Sequence, residues 1–152
     1  MKTEIIPYVG FDKIKLGLTL GQVERLLGKP NEQIRNQYSD NSNEVILEYH
    51  KLGVDLIFSS DEDYRLGSIT FNSSAFTLKG KKLIGINESE LILRFKSLFP
   101  DLKLDDDFKE LNMKDYVIDS TGISFWLDNG TVESVTLFPN YQDDNETVIW
   151  PD

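Results

Sequence analysis

The stretch "LGLTLGQVERLLGKP", residues 16–30, reads as a glycine turn, a capped helix and a hard stop. Thr19 suits the N-cap, because its hydroxyl can accept a hydrogen bond from a free backbone N–H of the first turn. Gln22, three residues on, can reach back and complete a capping box, and Leu18 with Val23 has the spacing of a hydrophobic staple. Val23, Leu26 and Leu27 recur at helical spacing. Gly28 suits the end of a helix, and Pro30 forbids its continuation. The stretch predicts a short helix over roughly residues 20–28, and every notable residue in it has a local structural job.

The pattern returns in "IGINESELILRFKSLFP", residues 84–100. Gly85 stands where Gly17 stood, 68 residues later, Asn87 replaces Thr19 as N-cap, and Ile86 with Leu91 repeats the staple. Each predicted helix is followed by three strand-like runs. The first set is "EVILEYH" (44–50), "GVDLIFSS" (53–60) and "LGSITFNS" (66–73). The second is "DYVIDS" (115–120), "GISFWLD" (122–128) and "TVESVTLF" (131–138), with Asn129-Gly130 as a strong hairpin turn. These correspondences predict one domain, residues 1–152, made of two repeats over about 10–75 and 80–140, with a tail over 139–152. The expected fold is α+β: a tandem of helix plus antiparallel three- to four-stranded meander, with the helices packed on one face of the sheet. Residues 31–43 read as a polar loop, and residues 101–114 as an acidic linker with part of a helix.

Alternation assigns faces. Val45, Leu47, Tyr49, Val54, Leu56, Phe58, Ile123, Phe125 and Leu127 form the set that must be covered. The opposite face is expected to stay open and mostly polar, with Ile57, Trp126 and Phe138 as large exceptions.

The motif running from Gly17 through Thr19, Gln22, Val23, Leu27 and Gly28 to Pro30 resembles that of the SmpA/OmlA type of outer-membrane assembly lipoprotein domain. The tandem form resembles the β-lactamase inhibitor protein fold. The second copy keeps Gly85, Asn87 and Leu91 but lacks the Gly-x-Pro ending. The chain departs from both relatives in having no cysteine, hence no lipid-attachment site and no disulfide. The resemblance implies a protein-binding scaffold in the cytoplasm.

Charge narrows the partners. Twenty-six acids against sixteen bases give a net charge of −10, which repels nucleic acid and anionic membrane faces and attracts basic proteins. No long apolar run is present to span a membrane, and the N-terminal residues do not read as a signal peptide, so a cytoplasmic location is expected. Catalysis finds few candidates: His50 is the only histidine, and no serine sits in a nucleophile elbow. One histidine and no cysteine argue against zinc, and neither "DEDY" (61–64) nor "DDD" (105–107) has the spacing of a calcium loop. No cofactor, no metal and no enzymatic role is therefore expected.

What remains is a surface. The residues expected to bind a partner are Glu48, Asp55, Ile57, Tyr116, Asp119, Trp126, Asp128 and Glu133, aromatic anchors ringed by charge. The pattern suits a bacterial immunity protein that neutralises a basic toxin through an acidic concave sheet face. The alternatives left open are an adaptor or scaffold subunit, and a small-ligand or calcium-binding domain using Asp61–Asp63.

Overall fold

A computed structural model describes all residues, 1–152. In chain order the elements are β1 (Ile5–Ile6), β2 (Gly10–Phe11), β3 (Ile14–Lys15), α1 (Leu20–Leu27), β4 (Glu32–Gln37), β5 (Asn43–Tyr49), β6 (Val54–Ser59) and β7 (Leu66–Phe71). They continue with β8 (Thr77–Leu78), β9 (Lys81–Lys82), α2 (Glu88–Phe95), β10 (Lys103–Phe108), β11 (Met113–Ile118), β12 (Ile123–Asp128), β13 (Thr131–Leu137), β14 (Asn140–Tyr141) and β15 (Val148–Ile149).

The dominant feature is a single antiparallel sheet of eight strands in the order β10-β11-β12-β13-β7-β6-β5-β4. Strand accounts for 45% of the chain and helix for 14%, which overturns the expected α+β tandem of helix plus meander with helices covering one face. The covering layer is built mostly from other material. α1 buries only Val23, and α2 only Leu91 and Phe95. The rest of the cover comes from Ile5, Phe11, Ile14 and Leu16 around the small β1-β2-β3 sheet, and from Phe76, Leu78, Leu83 and Ile86. Phe11, Phe71 and Phe76 meet edge to face with centroids 4.6–5.6 Å apart, an arrangement that aromatic quadrupoles favour. Eight-residue helices are too short to roof eight strands, so short strand pairs and loops complete the layer.

The two edge strands escaped the sequence reading. Residues 32–37, expected as loop, form β4, and residues 103–108, expected as linker with partial helix, form β10. Both lie on edges, where only one side of the strand pairs, and their residues are almost all exposed or half-buried. The β10 edge carries three successive acids and a bulge at Leu104–Asp106, features that disfavour edge-to-edge pairing.

The capping box of α1 forms as its chemistry dictates: Gln22 N–H donates to Thr19 Oγ1 at 3.2 Å, and Thr19 N–H donates to Gln22 Oε1 at 2.9 Å. At α2 only half of it forms. Glu90 N–H donates to Asn87 Oδ1 at 2.9 Å, but the Glu90 carboxylate turns to Arg94 instead. Both helices are anchored by the same stitch to the sheet. Gly17 N–H donates to Leu66 O and Leu66 N–H to Leu18 O, while Gly85 N–H donates to Val132 O and Val132 N–H to Ile86 O. The tail folds back: β14 pairs with β15, and Trp150 lies against Gly17 under the Arg65 guanidinium, 5.8 Å from the ring centroid.

Candidate functional site

One face of the sheet carries the buried core, and the other has no covering layer, with only Tyr141 of β14 standing beside part of it. Register places its residues in rows. The first row crosses all eight strands: Glu32, Glu48, Asp55, Thr70, Thr136, Ser124, Val117 and Lys103. It begins with three carboxylates opposite one another on neighbouring strands, an arrangement that repels. His50 relieves part of the repulsion, with Nε2 3.0 Å from Glu48 Oε1. That hydrogen bond chiefly raises the His50 pKa, with Glu32 and Asp55 adding to it. Burial, then Glu48, pushes the Asp55 carboxyl up, while Asn72 Nδ2–H, donating at 3.3 Å, opposes the shift.

The second row is apolar on one side: Ile34, Ile46 and Ile57 are aligned on β4, β5 and β6 and half-buried. Phe138, just past β13, is 42% exposed beside them. On the far side Trp126 stacks at a tilt on Phe108, centroids 5.6 Å apart, with Asp115 opposite Trp126 on β11. Burial raises the Asp115 carboxyl, and Asp105 and Asp106 raise it further.

Between the halves lies a pocket of about 200 Å³ walled by Ile57, Phe138, Tyr141, Glu44, Glu62 and Gly67. Glu44 Oε2 accepts hydrogen bonds from Tyr38 Oη at 2.6 Å and Asn36 Nδ2 at 3.2 Å. The Glu62 carboxylate accepts none, and its pKa is raised by burial and then by Asp61. The four ion pairs of the protein join His50–Glu48, Arg94–Glu90, Lys103–Asp119 and Lys114–Glu88. None neutralises Asp55, Glu62, Asp115 or Asp128.

Of the partner-binding residues expected from sequence, Glu48, Asp55, Ile57, Trp126 and Asp128 lie on the open face. Tyr116 does not. It pairs with Phe125 on the covered face, is 7% exposed, and hydrogen-bonds Glu88 through its hydroxyl. Along Met113–Ile118, Asp115 and Val117 alternate outward, and Tyr116 and Ile118 inward. Asp119 falls beyond the end of β11, exposed and paired with Lys103 at 3.0 Å. Glu133 is the extra residue of a bulge opposite Trp126–Leu127 and is exposed. Sequence reading missed Ile34, Ile46, Phe108 and Glu62. The first and third lie on the missed edge strands. Ile46 lies between Val45 and Leu47, so the alternation of β5 turns it to the open face.

One group could hold a cation: Glu32, Glu48 and His50 each bring a ligand atom within 4.8 Å of the others. An imidazole with two carboxylates suits a transition metal better than calcium. Asp61 and Glu62 fall in a single 3₁₀ turn, Ser60–Glu62, and Asp63 caps it. No helix is long and apolar enough to cross a membrane. No known family, no curated protein and no solved structure matches this chain.

Proposed function

We propose that the open sheet face is a docking surface for a basic protein, and that the protein acts by masking that partner, as a bacterial immunity protein masks a toxin. The observation that carries the reading is the composition of the uncovered face. Ile34, Ile46, Ile57, Phe138, Trp126 and Phe108 supply apolar anchors, and Glu32, Glu48, Asp55, Glu62, Asp115 and Asp128 surround them with no basic residue paired to most of them. Interfaces take their energy from a few buried aromatic and aliphatic anchors, and their encounter rate from complementary charge. Burial disfavours the charge of Asp55, Glu62 and Asp115, and a cation brought by a partner would offset that cost. A nuclease or other phosphate-handling toxin must expose a basic cleft, and an acidic face competes for it directly.

The test uses the intact protein as bait for lysate of its own organism, eluted in steps of rising salt, beside the variants Trp126→Ala and Ile57→Asp. The expected result is a basic protein held by the wild type, released by salt, and lost by both variants. Loss of Trp126 as an anchor is expected to weaken binding by about 2 kcal/mol or more. A partner retained equally by wild type and both variants would place the docking surface elsewhere and overturn the reading.

A further inference from the structure

We infer that the pocket at Gly67 receives an arginine side chain of the protein partner, with Glu62 as the carboxylate that takes the guanidinium. The inference rests on the open face being a protein-docking surface, and it names the group that surface grips.

The pocket is built by a bulge. Phe58 pairs with Leu66 and Ile57 with Ser68, so Gly67 stands unpaired between them. Its φ lies outside the left-handed region, so the backbone conformation does not demand glycine there. Space does. A Cβ at Gly67 would land on Glu62 Oε2, far inside van der Waals contact. The missing side chain lets a carboxylate lie directly over the strand, and Gly67 is itself buried. The Glu62 oxygens still reach solvent, but burial disfavours their charge, and no donor or cation of the protein pairs with them.

The walls fit an arginine in particular. Ile57, Phe138 and Tyr141 offer apolar and aromatic surface for the stem and for a stacked guanidinium plane. Glu44 stands on the same pocket, and both its hydrogen bonds fall on Oε2, leaving Oε1 open. A planar group with five donors in a fixed fork can address Glu62 and Glu44 together and still stack on an aromatic face, whereas an ammonium offers three donors on a compact point charge and no plane to stack. About 200 Å³ is room for one side chain.

The test is an NMR titration of the full-length protein with n-butylguanidinium, n-butylammonium and the neutral n-butylurea. Butylguanidinium should give saturable shifts centred on the Gly67 and Ser68 amides and the Ile57 methyls, about fivefold tighter than butylammonium, with no effect from the urea. Glu62→Gln should weaken butylguanidinium about tenfold while leaving the rest of the spectrum in place. Gly67→Ala, which pushes the carboxylate out, should do the same. Equal binding by wild type and Glu62→Gln, or shifts spread over Asp105–Asp107 and Asp143–Asp144, would overturn the pocket. Ammonium as tight as guanidinium would overturn arginine as its occupant. Because the probe needs no partner, the two readings fail separately. A bait experiment that captures nothing removes the protein source of the arginine, whereas a captured partner held equally by wild type and Glu62→Gln removes the pocket alone.

Discussion

Two central strands, β7 and β13, lie side by side and carry the same irregularity, which each resolves differently. In each, one extra residue bulges opposite a residue pair on the neighbouring strand: Gly67 in β7 and Glu133 in β13. In each, the residue before the bulge is stitched to the loop that leads into a helix, Leu66 to Leu18 and Val132 to Ile86. The bulge is thus part of how both halves hold their helix. In β13 the extra side chain is a glutamate that stands in solvent. In β7 it is a glycine, buried, with another residue's carboxylate in its place and a pocket beside it. Shared architecture explains the bulge. Only the glycine and Glu62 together make a site, so the two halves are equal as scaffold and unequal as surface.

The two halves meet at a short seam. β7 and β13 are joined by only three residue pairs, Val135–Phe71, Thr136–Thr70 and Leu137–Ile69, against six between β5 and β6. Phe71 sits in that seam and in the aromatic trio beneath it. Phe71→Ala should destabilise the protein by about 3–5 kcal/mol, and hydrogen exchange should show amides of Ile123–Leu137 losing protection together with those of Val54–Phe71. Protection retained in the second half alone would show two independently folding units instead of one sheet.

Next in size are the helix caps. Thr19 gives and receives in a complete capping box, whereas Asn87 only receives. Thr19→Ala and Asn87→Ala should each destabilise by about 1 kcal/mol, the first more than the second, measured by denaturant midpoint at constant m. A larger loss at Asn87 would mean that the second helix depends on its cap because its packing is weaker.

Much of the interior was legible in the chain. The alternation of Val45, Leu47 and Tyr49, or of Ile123, Phe125 and Leu127, assigns those residues to the covered face, and all six are buried. The helix starts were legible as well, since capping chemistry is local. What escaped has physical reasons. "EQIRNQ" and "KLDDDF" carry little alternation because edge strands bury little, so nothing in them distinguishes β4 and β10 from loop. The cover was assigned to helices because helical periodicity is visible, whereas two-residue strands such as β1 to β3 leave no period to read. The site escaped for a third reason. Glu62 reads as a turn residue and Gly67 as part of a strand, and only the bulge register brings one over the other. Tyr116 shares its phase with Ile118, so alternation along the strand puts it inside with that residue, and its aromatic character alone suggested an exposed anchor.

A smaller effect sharpens the contrast between the two bulges. Burial raises the Glu62 pKa above its unfolded value, so the folded state holds the proton more tightly than the unfolded state does. Within that window stability falls as pH rises, and at neutral pH the ionised carboxylate weakens the fold. Glu62→Gln should therefore raise the melting temperature at pH 7 and lose that advantage below about pH 4. Glu133→Gln, at the exposed bulge, should stay within about 0.5 kcal/mol of wild type at neutral pH. A destabilised Glu62→Gln would mean that the carboxylate is held by a donor the fold itself provides.

The smallest effect concerns His50, where the first half again differs from the second. On the outer β5 and β6 strands the row runs Glu48 and Asp55 with His50 beside them; on β12 and β11 the same row is Ser124 and Val117, with no acid to pair. His50 is drawn toward its protonated form, first by its hydrogen bond to Glu48 and then by Glu32 and Asp55. A histidine whose folded pKa exceeds the unfolded value stabilises the fold below the unfolded pKa, and that contribution is lost as pH rises through the folded one. The imidazole is largely exposed, so the gain is small and screened by salt. His50→Gln should be slightly less stable than wild type at about pH 5.5 and indistinguishable from it at about pH 8.5. Glu48→Gln should move the His50 titration, followed by its ring proton shifts, down toward the ordinary histidine value. A wild-type His50 that already titrates at the ordinary value would show that the Glu32–Glu48–Asp55 row exerts no field at the surface. The acidic face would then lose its claim to steer a basic partner toward this half of the sheet.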